Sequence, residues 1–173
     1  MSKRIPITGG CLCGAIRYEA AEPPTDISYC HCRMCQQSCG GPYFLGAFVK
    51  KASFRFTRSN PKYYRSSDWA ERGFCPDCGT PLLMRDMTDT HAIYVGTLNH
   101  PEDWPPTLGH SGMESHIPWD IIHDDLPQWR TDDDAEFLAT RKELEKLTAL
   151  LESSEVTQAE FDRRREAMFG GAQ

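Results

Sequence analysis

The sequence predicts a mainly antiparallel β domain followed by a C-terminal α-helical hairpin. Three observations predict it. Short apolar or alternating stretches recur between turn signals up to about residue 95. Cysteines fall in close pairs and one triplet, at the spacing of metal ligands. From Thr131 the pattern changes to a helical period with capping signals.

The first element follows Gly9-Gly10-Cys11-Leu12-Cys13-Gly14, where glycines permit tight curvature around an ion. Residues 15–20 then alternate apolar and polar, as a half-buried strand does. Cys11 and Cys13 share a face, with Leu12 opposite. Two ligands do not close a zinc site, so a second pair is required. That pair is the knuckle Cys75-Pro76-Asp77-Cys78-Gly79, whose turn aims both thiols at one point. Cys11, Cys13, Cys75 and Cys78 are therefore read as one four-sulfur site that closes a long loop and ties distant strands together.

Pro23-Pro24 separates the first strand from a second at 27–30, which runs into Cys30-His31-Cys32-Arg33-Met34-Cys35. In an extended segment Cys30 and Cys32 face one way and His31 the other, and Cys35 swings back through a short turn. Three sulfurs at one spot suit Zn²⁺. Three protein ligands leave a position for water or substrate, whereas a structural zinc is closed by four. Cys39, in the turn-rich stretch 36–42, is the one cysteine available to close the second site.

A buried strand is expected at 43–49, then shorter ones at 53–57, 62–66, 81–85 and 92–95. Residues 98–130 are rich in Pro, Trp and His. Trp104, Trp119 and Trp129 are expected to form a lid over the sheet, with His110 and His116 as candidates to line the metal cavity. In the tail, Asp133 with Glu136 offers a cap, and Phe137, Leu144, Leu147 and Leu151 recur at helical spacing. Thr157-Gln158-Ala159-Glu160 is a capping box for a second helix, with Val156 and Phe161 as a hydrophobic staple and Met168 and Phe169 continuing the stripe. Two such short helices need a surface to pack on, either the β domain or another copy. The division is thus 1–130, a zinc-binding β domain, and 131–173, a helical hairpin.

Composition narrows the class. The chain has 173 residues with 39% hydrophobic and 25% charged, and a net charge of −6. Residues 1–130 carry 13 Lys+Arg against 14 Asp+Glu; residues 131–173 carry 6 against 11. No basic face stands out, so nucleic acid is not an expected partner. No apolar run reaches the ~20 residues of a membrane span, and the opening Met1-Ser2-Lys3-Arg4-Ile5-Pro6 lacks the apolar core of a signal peptide. A cytoplasmic protein is expected, with no membrane partner. In a reducing compartment eight cysteines point to metal rather than disulfides.

Three segments together resemble the glutathione-dependent formaldehyde-activating family, which includes centromere protein V. They are Gly10-Cys11-x-Cys13-Gly14, Cys30-His31-Cys32-x-x-Cys35 and Phe74-Cys75-x-x-Cys78-Gly79-Thr80-Pro81-Leu82. Val95-Gly96-Thr97-Leu98, Trp119 and Leu126-Pro127 look like the family's downstream landmarks. The resemblance covers about residues 5–130. The tail resembles the short C-terminal domain (SHOCT) hairpin. The family resemblance implies a β-tent fold with two zincs, one structural on Cys11, Cys13, Cys75 and Cys78, one catalytic on Cys30, Cys32 and Cys35. It implies a carbon–sulfur lyase that forms S-(hydroxymethyl)glutathione from formaldehyde and glutathione. Asn99 and Cys39 depart from the family's usual residues.

Three thiolates weaken the Lewis acidity of zinc, so such a site suits holding a substrate thiol or its aldehyde adduct better than generating hydroxide. The competing reading is a non-catalytic scaffold, stapled by two structural zincs and using its tail as an interaction or homo-oligomer surface. A redox pair of Cys35 and Cys39 is a third.

Overall fold

A computed structural model describes residues 5–133 and 135–168, with the backbone alone at Glu136, Phe137, Thr140 and Glu166. The Glu136 half of the expected cap and the stripe positions Phe137 and Phe169 lie outside the described side chains.

Among the described residues ten strands form two sheets. The small sheet holds β1 (Ile7–Gly10), β2 (Arg17–Ala20) and β5 (Phe54–Phe56), in the order β1-β2-β5. The large sheet takes β3 (Asp26–Cys30), β4 (Phe44–Lys50), β6 (Lys62–Arg65), β7 (Ala70–Phe74), β8 (Pro81–Asp86), β9 (Thr90–Tyr94) and β10 (Gly109–Ser111). Its order is β10-β3-β4-β9-β8-β7-β6. Every pairing is antiparallel except β10 with β3, which is parallel. The helices are α1 (Arg33–Cys39), α2 (Ala135–Glu152) and α3 (Gln158–Met168).

The core lies between the sheets. Ile7, Tyr18 and Ala20 of the small sheet meet Ile27, Ala47, Val49, Leu82 and Ile93 of the large one, and Trp104 closes one end. Alternation along each strand sends every second side chain inward, and fully burying one such aliphatic stabilises by roughly 1.5–3 kcal/mol. The buried Tyr18 hydroxyl is satisfied: it donates to Thr97 Oγ1 at 2.6 Å, and Thr97 in turn donates to the Tyr94 carbonyl at 2.8 Å.

The mainly β class and the C-terminal helices agree with the sequence, and four elements add to it. β1 runs through the glycines read as a metal turn. β7 occupies the polar-looking stretch before the knuckle. α1 replaces the expected turn at Cys35. β10 lies in the Trp- and His-rich segment. The tryptophan lid does not form: Trp104 is 3% exposed in the core and Trp119 is 71% exposed. Trp129 is half-buried near Gly109.

The helices of the hairpin pack through Leu144, Leu147 and Phe161, with Trp69 and Met87 of the β region against them. Arg165 fastens α3 to the strand side by donating Nε–H to the Asp68 carbonyl at 3.0 Å. The hairpin therefore places its apolar side against its own chain.

Candidate metal centres

The four-thiol group is made by two turns brought together from opposite ends of the fold. β1 delivers Cys11 into a turn closed by Cys11 N–H to Ile16 O (3.1 Å) and Gly14 N–H to Cys11 O (3.1 Å). Gly14 has φ +80°, a conformation that favours glycine. Leu12 is left 89% exposed between Cys11 and Cys13. On the other side a register shift at Gly73/Phe74 bends β7 out of the sheet and into the knuckle. The knuckle is held by Gly79 N–H to Cys75 O and Cys75 N–H to Thr80 O, both 2.9 Å.

Cys11, Cys13, Cys75 and Cys78 converge with all four sulfurs within 4.8 Å of one another. The Cys11–Cys13 and Cys13–Cys75 separations are 3.4 and 3.7 Å, and all are free thiols. A zinc tetrahedron with ~2.3 Å bonds has sulfur edges of ~3.8 Å, so the donor set fits zinc. Protein donors favour the thiolate at Cys11 and Cys78. Ile16 N–H reaches Cys11 Sγ at 3.2 Å, and Thr80 Oγ1 lies 3.1 Å from Cys78 Sγ. The Thr80 hydroxyl and N–H hold Cys78 down to about 6. At Cys13 the Ala15 N–H lowers the pKa, but crowding by Cys11 and Cys78 outweighs it and pushes the thiol up to about 12. A dication relieves that crowding by letting every sulfur ionise.

The three-thiol group sits at the junction of β3 and α1. Cys30 ends the strand, Cys32 is the extended residue at the helix N-terminus (ψ 148°), and Cys35 is buried in the first turns. Their sulfurs also lie within 4.8 Å of one another. Gln36, 4% exposed, fixes the segment by donating Nε2–H to His31 O (2.7 Å) and Ser115 O (2.9 Å). Gly112 packs so close that a Cβ there would lie 2.7 Å from Cys32 N, at φ +70°. Hydrogen bonds from Cys30 and Cys35 pull Cys32 down to about 2, while the same contacts push Cys35 up. One sulfur takes the negative charge and the others resist, which marks a donor set that a cation completes.

Two neighbours define the site further. Arg72 of β7, 7% exposed, places Nη2 3.5 Å from Cys35 Sγ. A buried guanidinium requires an anion. Tyr94 donates to Ser38 Oγ at 2.9 Å, and Ser38 donates to Cys35 O at 3.0 Å. Cys39 lies outside the group. Its Sγ contacts Tyr43 O at 3.1 Å and also faces Gln36 O at 3.6 Å. Arg72, Gln36 and Tyr94 carry no local signal in the sequence, because burial and partners come to them only through sheet order.

His31 faces away from the thiols, as alternation predicts, but it is not merely packed. It joins His116 and Asp120 in a third group whose ligand atoms lie within 4.8 Å. His110 lines a cavity of about 280 Å³ with His31, Tyr29 and Tyr43. The histidines expected at the metal cavity thus belong with His31. Asn99, the departure after Gly96-Thr97-Leu98, clips β1 by donating Nδ2–H to Thr8 Oγ1 at 2.8 Å.

Two sheets closed by a four-thiol knuckle, with a three-thiol group at an inner strand end, define a β protein built around cysteine-rich groups suited to metal. The chain belongs to the glutathione-dependent formaldehyde-activating enzyme family, whose sequence model matches residues 6–112. It is 39% identical over 87 residues to an uncharacterized lyase of Schizosaccharomyces pombe, a match over 50% of this chain and 63% of that relative's length. A crystal structure of a Rhodobacter sphaeroides protein is similar at a TM-score of 0.48 and 23% identity, over 60% of this chain and 98% of the other. Among the described residues no helix is long and apolar enough to cross a membrane.

Proposed function

We propose that the protein is a zinc-dependent carbon–sulfur lyase acting on thiol–aldehyde adducts, with glutathione and formaldehyde as its substrate pair. Cys30, Cys32 and Cys35 hold the catalytic zinc, and Cys11, Cys13, Cys75 and Cys78 hold a structural one. The observation that carries the reading is a group of three sulfurs with the nearby Cys39 thiol committed to the Tyr43 carbonyl.

The reaction is an addition. The thiol sulfur bonds to the aldehyde carbon, the C=O π bond opens, and the thiol proton ends on the new hydroxyl, with no change in overall oxidation state. Zinc, when bound, lowers the pKa of a substrate thiol and adds positive charge beside the carbonyl. The chain supplies the surroundings. Arg72 balances the negative charge of the sulfurs from behind Cys35. Cys30 and Cys32, half-buried, leave the group approachable, while the Phe44 and Tyr94 rings, packed edge-to-face at 4.5 Å, back it with an apolar wall. Holding thiol and aldehyde together removes most of the entropy cost of the encounter.

The scaffold alternative requires a fourth protein ligand at this group, and Cys39 does not point to it. Self-association through the hairpin gains no support from a hairpin whose apolar side lies on Trp69 and Met87.

Exchange spectroscopy with ¹³C-formaldehyde and glutathione tests the proposal. Wild type is expected to accelerate exchange between free and thiol-bound formaldehyde, and Cys35→Ser to lose the acceleration by about 100-fold while keeping one zinc. Equal rates with and without wild-type protein would overturn it.

A further inference from the structure

We propose that His31, His116 and Asp120 form a third metal site, for a divalent first-row ion held through nitrogen and oxygen. It is separate from both thiol groups.

The first observation is an orphaned buried nitrogen. His31 is 0% exposed, and its Nδ1 has no hydrogen-bond partner among the described residues. Its other nitrogen is engaged. Asp124 accepts from His110 Nε2 at 3.0 Å, and His110 Nδ1 lies 3.0 Å from His31 Nε2. The Asp124 carboxylate accepts from His110 Nε2, and with His110 Nδ1 as the acceptor the shared proton sits on His31 Nε2. The Nδ1 of His31 is then a bare lone pair in the interior. Leaving such an acceptor buried without a partner is unfavourable.

The second observation is what that lone pair faces. Asp120 Oδ2 lies 3.9 Å away, too far for a hydrogen bond. The same oxygen lies 3.8 Å from His116 Nε2. Two imidazoles and a carboxylate around ~2.1 Å bonds have donor edges of ~3.4 Å in a tetrahedron. The two separations to Asp120 exceed that edge by about half an ångström, and the ligand atoms of the two imidazoles lie within 4.8 Å of each other. His116 and Asp120 sit on an irregular segment joined by an i,i+4 contact, His116 Nε2 to Asp120 O at 2.6 Å. Metal binding through that nitrogen replaces this contact.

The set is two histidines and one carboxylate, which suits zinc, cobalt or iron in the divalent state and leaves positions for water or a small oxygen ligand. His31 and Asp120 line the cavity of about 280 Å³, so those positions have space beside them. The His110–Asp124 pair supplies the outer support that a metal-bound histidine typically has, fixing tautomer and ring orientation. Tyr29 holds His110 from the other side, with rings stacked at 4.5 Å. Since His31 lies between Cys30 and Cys32, one residue links the nitrogen–oxygen site to the three-thiol group.

The test uses the tag-free full chain with its thiol groups loaded with zinc, titrated with Co²⁺ and followed by visible absorption. One equivalent of Co²⁺ is expected to bind with d–d bands and without a sulfur-to-cobalt charge-transfer band. Asp120→Asn, nearly isosteric, and His116→Ala, at a side chain 20% exposed, are each expected to weaken that binding at least tenfold with the thiol-bound zinc unchanged. Asp124→Asn, a positioning change, is expected to weaken it about tenfold. No cobalt signal of this kind in wild type would overturn the proposal, as would a signal unchanged in both Asp120→Asn and His116→Ala. Because sulfur-bound cobalt absorbs differently, this outcome is independent of whether the three-thiol group catalyses anything.

Discussion

The two thiol groups solve the same electrostatic problem differently. The group of Cys11, Cys13, Cys75 and Cys78 is built from two glycine-bearing turns, with backbone and Thr80 donors around the sulfurs. The group of Cys30, Cys32 and Cys35 has a strand end, a short helix and a buried arginine. Four thiolates on a dication would exceed its charge by two, an excess that dispersed N–H dipoles suit. Three would exceed it by one, and Arg72 stands beside Cys35 where one positive charge would balance it. The difference supports the proposed division into a structural and a catalytic group. The first is closed by the chain and joins both ends of the fold. The second has a buried arginine beside it and one cysteine fewer, the arrangement that a substrate thiol would complete in the proposed reaction.

Three substitutions sharpen the contrast. The largest effect is expected at Cys75→Ser. Structural zinc contributes about 10–16 kcal/mol in small zinc peptides, and Cys75 is 0% exposed at the bend where β7 leaves the sheet. Calorimetry is expected to show loss of the cooperative transition; a melt within a few degrees of wild type would break the structural assignment. Next is Arg72→Met. Removing one partner of a buried ion pair costs about 3–5 kcal/mol, so a fall of about 6–20 °C in Tm is expected. The first zinc released to a chelator titration should then come from the three-thiol group. Equal release from both groups would remove Arg72 from the charge balance. The smallest effect is expected at Cys39→Ser, which keeps a donor toward Tyr43 O. Stability should stay within about 1 kcal/mol and both zincs should remain. Loss of one zinc would make Cys39 a ligand and convert the second group into a closed one.

The convergence of the cysteines was legible in the sequence because each pair or triplet lies close along the chain, so local geometry aims its sulfurs at one point. The facing of His31 was legible for a similar reason, since alternation in a strand is local. What His31 meets was not. His110 reaches it on β10, a three-residue strand that pairs in parallel with β3 from far downstream, and such pairing leaves no local trace. β7 was hidden because Arg72 and Gly73 look like loop residues; Gly73 is buried between β6 and β8, beside Tyr63 and Leu83, and Arg72 against Cys35. The helix at 33–39 was hidden by its cysteines and glutamines, which carry ligand and packing roles that mask its period. Trp119 failed as a core residue for the plainer reason that size alone does not bury a side chain; it stays at the surface beside Pro118.

The most direct test of the contrast is zinc-edge X-ray absorption on protein rinsed with a mild chelator, which strips a nitrogen–oxygen site and leaves the thiol-bound ions. One closed and one open centre predict about 3.5 sulfurs per zinc and a light-atom shell, with glutathione raising the average to about 4 as that shell disappears. Four sulfurs per zinc before glutathione, with no light-atom shell and no change on adding it, would contradict the account.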